Sequence, residues 1–338
     1  MKQDQTLTVK IDPYNLITLF GVSFLFYGIW TIRDFLLLFM VSLTISIFVN
    51  GIIKKLAHYR IPRVLGALIF YLLLFALFFG VLILFIPAFI KELANFIQHY
   101  PQLASYFDFN FLLQKAQLFR EQGSILAEIK NLSFSDFFSV FSSFFGGLVN
   151  FVIIFVISFY LSIQDHAIEK VLKIFLPKAY ELSSIRVWKK TQEKIEGWFR
   201  GQVIIAMLLF IITAIGLSLM GIPYAILLSL LAALFGLVPY GIFIAILPTL
   251  MLAYSYGGFR MFITVIIFYT LTQQFLDYLI QPFVFKKTAG IPSILVVLAV
   301  IIGAKLFGFL GLIIAIPLTL FILELIREIE FHREHHHV

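Results

Sequence analysis

Four polar residues interrupt an apolar run in the last third of the chain: Gln273, Gln274, Asp277 and Gln281, with Pro282 directly after. On a helix, Gln273, Asp277 and Gln281 are four residues apart and share one face. A carboxylate set between amides can hold a proton or a monovalent cation, the acid supplying charge and the amides supplying donors and acceptors. Ionisable groups at membrane depth are costly, so Asp277 is a functional candidate by default. The competing reading is a hydrated acid at a span end, since Pro282 follows five residues later. Lys305 is a second candidate: it either meets an anionic solute, pairs with Asp277, or snorkels to an interface. Gln202, one turn into another apolar run, reads as a solute contact or a helix cap. Arg200 and Arg260 sit at span ends as anchors, and Glu324 and Arg327, three apart, are expected to pair.

Two similar breaks in the chain must position these groups. Gly221-Ile222-Pro223 recurs as Gly290-Ile291-Pro292 at an offset of 69 residues, and the same offset carries Pro248 onto Pro317. Each copy has a break near its middle: Gly236, Pro239, Tyr240 and Gly241 in the first, Gly303, Gly308 and Gly311 in the second. The flanking apolar segments are shorter than the roughly 20 residues that a spanning helix needs. Glycine weakens a helix and proline removes a donor, which frees backbone carbonyls and amides. Within a membrane such backbone is tolerated only where protein buries it or a watery cavity is lined by it. Paired short segments of this kind are the pattern of broken or re-entrant hairpins in transporters. Ordinary helical hairpins with turn glycines are the plainer alternative.

The whole chain supports a membrane setting. Of its 338 residues 61% are hydrophobic and 13% charged, with 41 Phe. A soluble domain carries about 45–50% apolar and about 25% charged residues, so one core cannot hide this excess. No alternation of the barrel kind appears, and the expected fold is all-α, a polytopic transmembrane helical protein with about eight spans and two broken or re-entrant hairpins. Candidate spans are 14–31, 35–53, 64–90, 147–163, 202–220, 224–238, 241–256, 261–280, and 292–304 with 306–325. The run 14–31 is too long for a leader core, no small-x-small cleavage site follows it, and it reads as a retained span.

Loop charge sets the orientation. Residues 54–63 hold four bases and no acid, and 165–200 hold eight bases. Both read as cytoplasmic, along with the N-terminus, in a bacterial inner membrane. The segment 91–145, with four bases and five acids, reads as external. That parity places Gly221 outside and Gly290 inside, so the hairpins are inverted. Six units follow: N-terminal membrane helices (1–90), an amphipathic external lobe (91–146), a transmembrane helix (147–164), cytoplasmic interfacial helices (165–201), a core with both hairpins (202–328) and a polar tail (329–338). In the interfacial unit Ile168, Val171, Leu172 and Phe175 recur at helical spacing, with Trp188 and Trp198 expected near headgroup depth.

Several functions are disfavoured. The chain has no Cys, which removes disulfides, thiolate metal sites and cysteine nucleophiles. No phosphate loop, nucleophile elbow or zinc-protease helix is found, so neither an enzyme nor a cofactor is expected. The net charge of +7 is assigned to cytoplasmic loops, not to nucleic acid. The His-rich tail is expected to hold no structural metal.

Seven motifs in order carry a family resemblance: AHYRIPRVLGA at 57–67, Phe199-Arg200-Gly201-Gln202, Gly221-Ile222-Pro223-Tyr224-Ala225, Val238-Pro239-Tyr240-Gly241 with Pro248, Gln273-Gln274-x-x-Asp277 with Pro282, Gly290-Ile291-Pro292, and Gly308-x-x-Gly311 with Pro317. Together they resemble the autoinducer-2 exporter family, over nearly the whole chain and most densely from Arg200 onward. The resemblance implies a secondary transporter without its own ATPase. Some relatives are associated with export of autoinducer-2, others with sodium or lithium/proton antiport. It also implies a homo-oligomer, with a pentamer among the candidate states. Gln273, Gln274, Asp277 and Pro282 match the family's polar motif, although relatives often carry Glu at the position of Asp277. The expected partners are the lipid bilayer and a small polar solute or monovalent cation. A membrane scaffold or regulatory protein that moves nothing is the rival reading.

Overall fold

A computed structural model describes residues 21, 23–24, 27–28, 30–57, 60–99, 147–285 and 292–335. These are helical, with no strand among the described residues. Most of the expected first span 14–31, the lobe from residue 100 to 146, Gly290-Ile291 and the tail end 336–338 lie outside them. In chain order the elements are α1 (Arg33–Ala57), α2 (Arg63–His99), α3 (Leu148–Ile163), α4 (Ala167–Phe175), α5 (Lys178–Leu219), α6 (Ala225–Gly236), α7 (Ile242–Phe275), a π-helical turn (Leu276–Ile280), α8 (Gln281–Phe285) and α9 (Ser293–His335).

Among the described residues, which leave out most of the expected span 14–31, five helices are long and apolar enough to cross a membrane, or six if the bent pair α3–α4 counts as one span. That is fewer than the eight expected, and geometry gives the reason. α7 is not straight: at Gly258 the backbone turns through φ 62°, ψ −162°. Thr249 Oγ1 and Tyr269 Oη, twenty residues apart, lie 3.5 Å from each other, where a straight helix would separate them by about 30 Å. α9 turns likewise at Gly308, with φ 60°, ψ −137°. A Cβ on Gly303 would stand 2.6 Å from the Gly311 carbonyl oxygen, so the two arms touch. Four of the expected runs, 241–256 with 261–280 and 292–304 with 306–325, are therefore arms that double back at Gly258 and Gly308.

α6 makes the first hairpin with residues 242–257. Its 12 residues extend about 18 Å, well short of a bilayer core of about 30 Å. Gly221 ends α5 in the left-handed region at φ 71°, with Gly221 N–H bonded to Ser218 and Ile222 N–H to Leu217. This is a Schellman stop, which assigns each residue of the Gly-Ile-Pro motif a task. The glycine takes the positive φ, buried Ile222 (5% exposed) makes the apolar contact, and Pro223 prevents continuation.

Elsewhere the boundaries differ from expectation. α2 continues to His99, past the expected lobe boundary at 91. The second interfacial helix and the span at 202–220 are one 42-residue helix, α5, because Gly201 alone does not break it. α4 meets α3 at 91° and buries none of its residues, as suits a helix lying in an interface. Trp198 is 6% exposed in a core cluster with Ile47, Ile195 and Leu320.

The bundle has two poles. At the first, Lys54 pairs with Glu196, Lys194 and Arg327 with Glu324, and Arg186 with Glu328, which ties α1, α5 and the end of α9 together. The expected Glu324–Arg327 pair is present at 2.8 Å. Arg63 joins the same pole, bonding Asn50, Ser162 and Asp165. At the other pole buried Glu92, late in α2, accepts a bond from Tyr256, beside the Gly258 turn. Large apolar side chains such as Leu73, Ile215, Leu219 and Leu306 stand exposed between the poles, a surface matched to lipid.

Candidate functional site

Asp277 lies in a π-helical turn that ends the long arm of α7, where Gln281 N–H bonds to the Leu276 carbonyl five residues back. Turns of this kind inside α-helices frequently mark functional sites. Gln273 Nε2 donates to both Asp277 carboxylate oxygens, at 3.0 and 3.1 Å, and Gln281 Nε2 donates to Oδ1 at 2.5 Å. The expected polar stripe thus forms around a half-buried acid. Among the described residues no cation pairs with it. A carboxylate held by amides with no counter-ion can take up a proton or a small cation and release it again.

The hairpin tips stand next to this stripe through α5. A Cβ on Gly201 would come within 2.5 Å of Phe285 and 2.8 Å of Val284, so only glycine lets α8 approach there. One residue on, Gln202 Nε2 donates to the Gly236 carbonyl at 2.5 Å. Of the two readings for Gln202, the structure has it capping the first hairpin's tip. The tips of the two hairpins meet: Phe235 and Phe309 pack edge to face with ring centroids 6.3 Å apart. At the first tip a Cβ on Gly241 would collide with the Phe235 carbonyl. Tyr224 and Tyr240, which bracket α6, both hold φ near 60°, an outlier for a bulky residue and a sign of local constraint.

Gln202→Leu is expected to lower stability by about 1–3 kcal/mol, since the Gly236 carbonyl loses its partner. Thermal unfolding in detergent measures this. An unchanged midpoint with altered flux would instead make Gln202 a solute contact.

The remaining candidates are scattered. Gln274 and Pro282 are exposed, and Pro239 is half-buried. Tyr240 is exposed and stacks on Phe243 at 6.4 Å. Gly308 forms an exposed turn, while Gly311 is buried against Gly303. Lys305 is exposed beside that turn and does not pair with Asp277. Sequence reasoning missed Asn50, Glu92, Glu196 and Glu328. Their apolar neighbourhoods hid them, and the only signal was a charge within a turn or two of a span end.

The hairpins enter from opposite poles. The first begins after the end of α5 and turns again at Gly258, beside Glu92. The second starts where Val296 packs on the Ile195–Trp198 cluster and returns to Glu324 at the ion-paired pole. A polytopic helical membrane protein with opposed hairpins that meet at their tips, and with an amide-held carboxylate on the arm between them, is the class defined by this fold and site. The chain belongs to the AI-2E transporter family: residues 19–331 match the model for the AI-2E family transporter.

Similar curated proteins include YrrI of Bacillus subtilis (strain 168), a candidate transport protein 23% identical over 160 residues, 47% of this chain and 45% of that one. YtvI of the same organism, also a candidate transport protein, is 26% identical over 162 residues, 47% and 43% of the two chains. The candidate permease PerM of Escherichia coli (strain K12) is 33% identical over 136 residues, 40% and 38% of the two. The chain spans less than half the length of each of these relatives.

Proposed function

We propose that this chain is a secondary transporter that works by alternating access, exporting a small polar molecule of the autoinducer-2 kind or exchanging sodium for protons. The observation that carries the proposal is the pair of opposed hairpins whose tips touch at Phe235 and Phe309, held to α5, which also packs on α8 beyond Asp277, a carboxylate that no cation pairs with among the described residues. Opposed hairpins around a central contact have two equivalent ways to open, one toward each pole. Asp277 takes the proton or sodium ion, and binding there shifts the balance between the two openings through Gln273 and Gln281. The membrane-depth backbone at residues 236–241 and 303–311 lines the route of the cargo.

The bases at Lys54, Arg63 and along α4 and early α5 favour a cytoplasmic ion-paired pole and a cytoplasmic N-terminus in a bacterial inner membrane. The working unit is a homo-oligomer, pentameric in our reading, and the division at 91, 147, 165, 202 and 329 describes its parts. Reconstitution into liposomes tests the function. An imposed pH or sodium gradient is expected to drive flux of autoinducer-2 or of sodium, and to stop doing so when an ionophore collapses it. If no gradient alters the flux of either cargo, ion coupling is wrong.

Access is tested separately, since the chain has no Cys and single cysteines report without background. Tyr240→Cys and Lys305→Cys, both at exposed positions beside the tips, are expected to react with a membrane-impermeant maleimide from opposite sides. Labelling of both from one side only would sink the inverted arrangement.

A further inference from the structure

We propose that the groove between α1, α4, α5 and α9 at the ion-paired pole is a binding site for one anionic phospholipid, its acyl chains on the apolar walls and its phosphate at Arg333. The groove has a volume of about 940 Å³, at the upper end of the roughly 300–1,000 Å³ typical of ligand clefts. Its walls are apolar and come from all four elements, with Met40, Val171, Phe321 and Ile329 among them. α4 supplies one wall. Set at 91° to α3, it places Ile168, Val171 and Leu172 on the groove, at the depth where an amphipathic helix meets the headgroup boundary.

The polar groups sit at two levels, as a phospholipid requires. Thr191 lies at the apolar floor, 1% exposed, with no hydrogen-bond partner for its hydroxyl. In a helix such a hydroxyl ordinarily bonds a carbonyl one turn back, as Thr213 and Thr249 do here. A small rotation about its χ1 would offer Thr191 to a glycerol ester carbonyl. At the rim stand Tyr180, His332 and Arg333, all exposed. Glu328 is the only carboxylate among the lining residues, and Arg186 and Lys190 already hold it. Arg333 has no acidic partner among the described residues. Among the described residues the rim is therefore net positive, two bases on Glu328 plus Arg333, and it presents a guanidinium, the group best matched to phosphate. That charge favours an anionic lipid over a zwitterionic one, and over an uncharged helix face of a second copy.

Trp188 lines the groove and serves as the probe. Purified full-length protein in neutral detergent is titrated with phosphatidylglycerol or phosphatidylcholine carrying brominated chains, and tryptophan fluorescence is read. Saturable quenching is expected at about tenfold lower phosphatidylglycerol than phosphatidylcholine, because both offer a phosphate to Arg333 but only choline brings a cation against the basic rim. Trp188→Phe should remove the saturable part. Arg333→Gln, at an exposed position that does not threaten folding, should bring the two lipids level. Ser184→Phe, which fills the groove, should abolish saturation for both. Equal quenching by the two lipids in the wild type would overturn the proposal, as would an undiminished preference in Arg333→Gln. So would efficient disulfide dimerisation of Leu318→Cys, because a second copy would then cover the groove.

Discussion

Asp277→Asn is expected to reduce gradient-driven flux to the rate of empty vesicles while leaving the fold intact. The substitution is nearly isosteric, and Gln273 and Gln281, which both donate to Oδ1, can still bond it as the retained side-chain oxygen. The loss in stability is about 1 kcal/mol, that of a weakened hydrogen bond. What disappears is the charge that a proton or sodium ion would neutralise. Among the described residues of the long α7 arm and α8, no other acid can replace it. Asp277→Glu keeps the charge and adds one methylene, so its flux should persist. The pair of variants therefore separates charge from shape. Flux in Asp277→Asn equal to wild type, with both proteins melting alike, would remove Asp277 from the coupling mechanism. A Gln273→Leu variant extends the test: it removes one amide and should weaken ion affinity without abolishing transport.

This site was legible because its signal is local. Gln273, Asp277 and Gln281 recur at one helical period, and their mutual bonds stay within one face of one segment. The Gly-Ile-Pro motif was legible for a similar reason, since a Schellman stop is written in three adjacent residues. The span count was not. An apolar run looks the same whether it crosses a bilayer or doubles back, and the decision rests on one dihedral at Gly258 and another at Gly308. The ion-paired pole was hidden more deeply, because Lys194 and Glu324 lie 130 residues apart and Arg186 and Glu328 lie 142 apart. Nothing local connects them. Lys305 and Asp277 illustrate the converse: opposite charges in neighbouring apolar runs suggested a pair, but the turn at Gly308 leaves Lys305 exposed.

Gly311→Ala is expected to be among the most destabilising small substitutions in the protein. Its Cβ would collide with the carbonyl group of Gly303, and that neighbour is backbone, which cannot rotate away as a side chain can. The arms of the second hairpin would have to separate, losing contacts around Ala315 and the Ile314–Leu310 cluster. Overpacking of this kind costs about 1–3 kcal/mol when side chains yield, and rigid backbone on both sides puts this case at or above about 3 kcal/mol. Gly303→Ala should behave alike, since its Cβ stands 2.6 Å from the Gly311 carbonyl oxygen.

Gly308→Ala offers the contrast. Nothing lies within 4 Å of the added methyl, so its cost is conformational only, about 1–3 kcal/mol for a backbone region that essentially only glycine occupies. The expected order of melting temperature in detergent is wild type, then Gly308→Ala, then Gly303→Ala and Gly311→Ala together. If Gly311→Ala melted with or above Gly308→Ala, the arms would not be in contact. The second hairpin would then be a kinked continuous helix, and the opposed arrangement on which alternating access depends would fail with it.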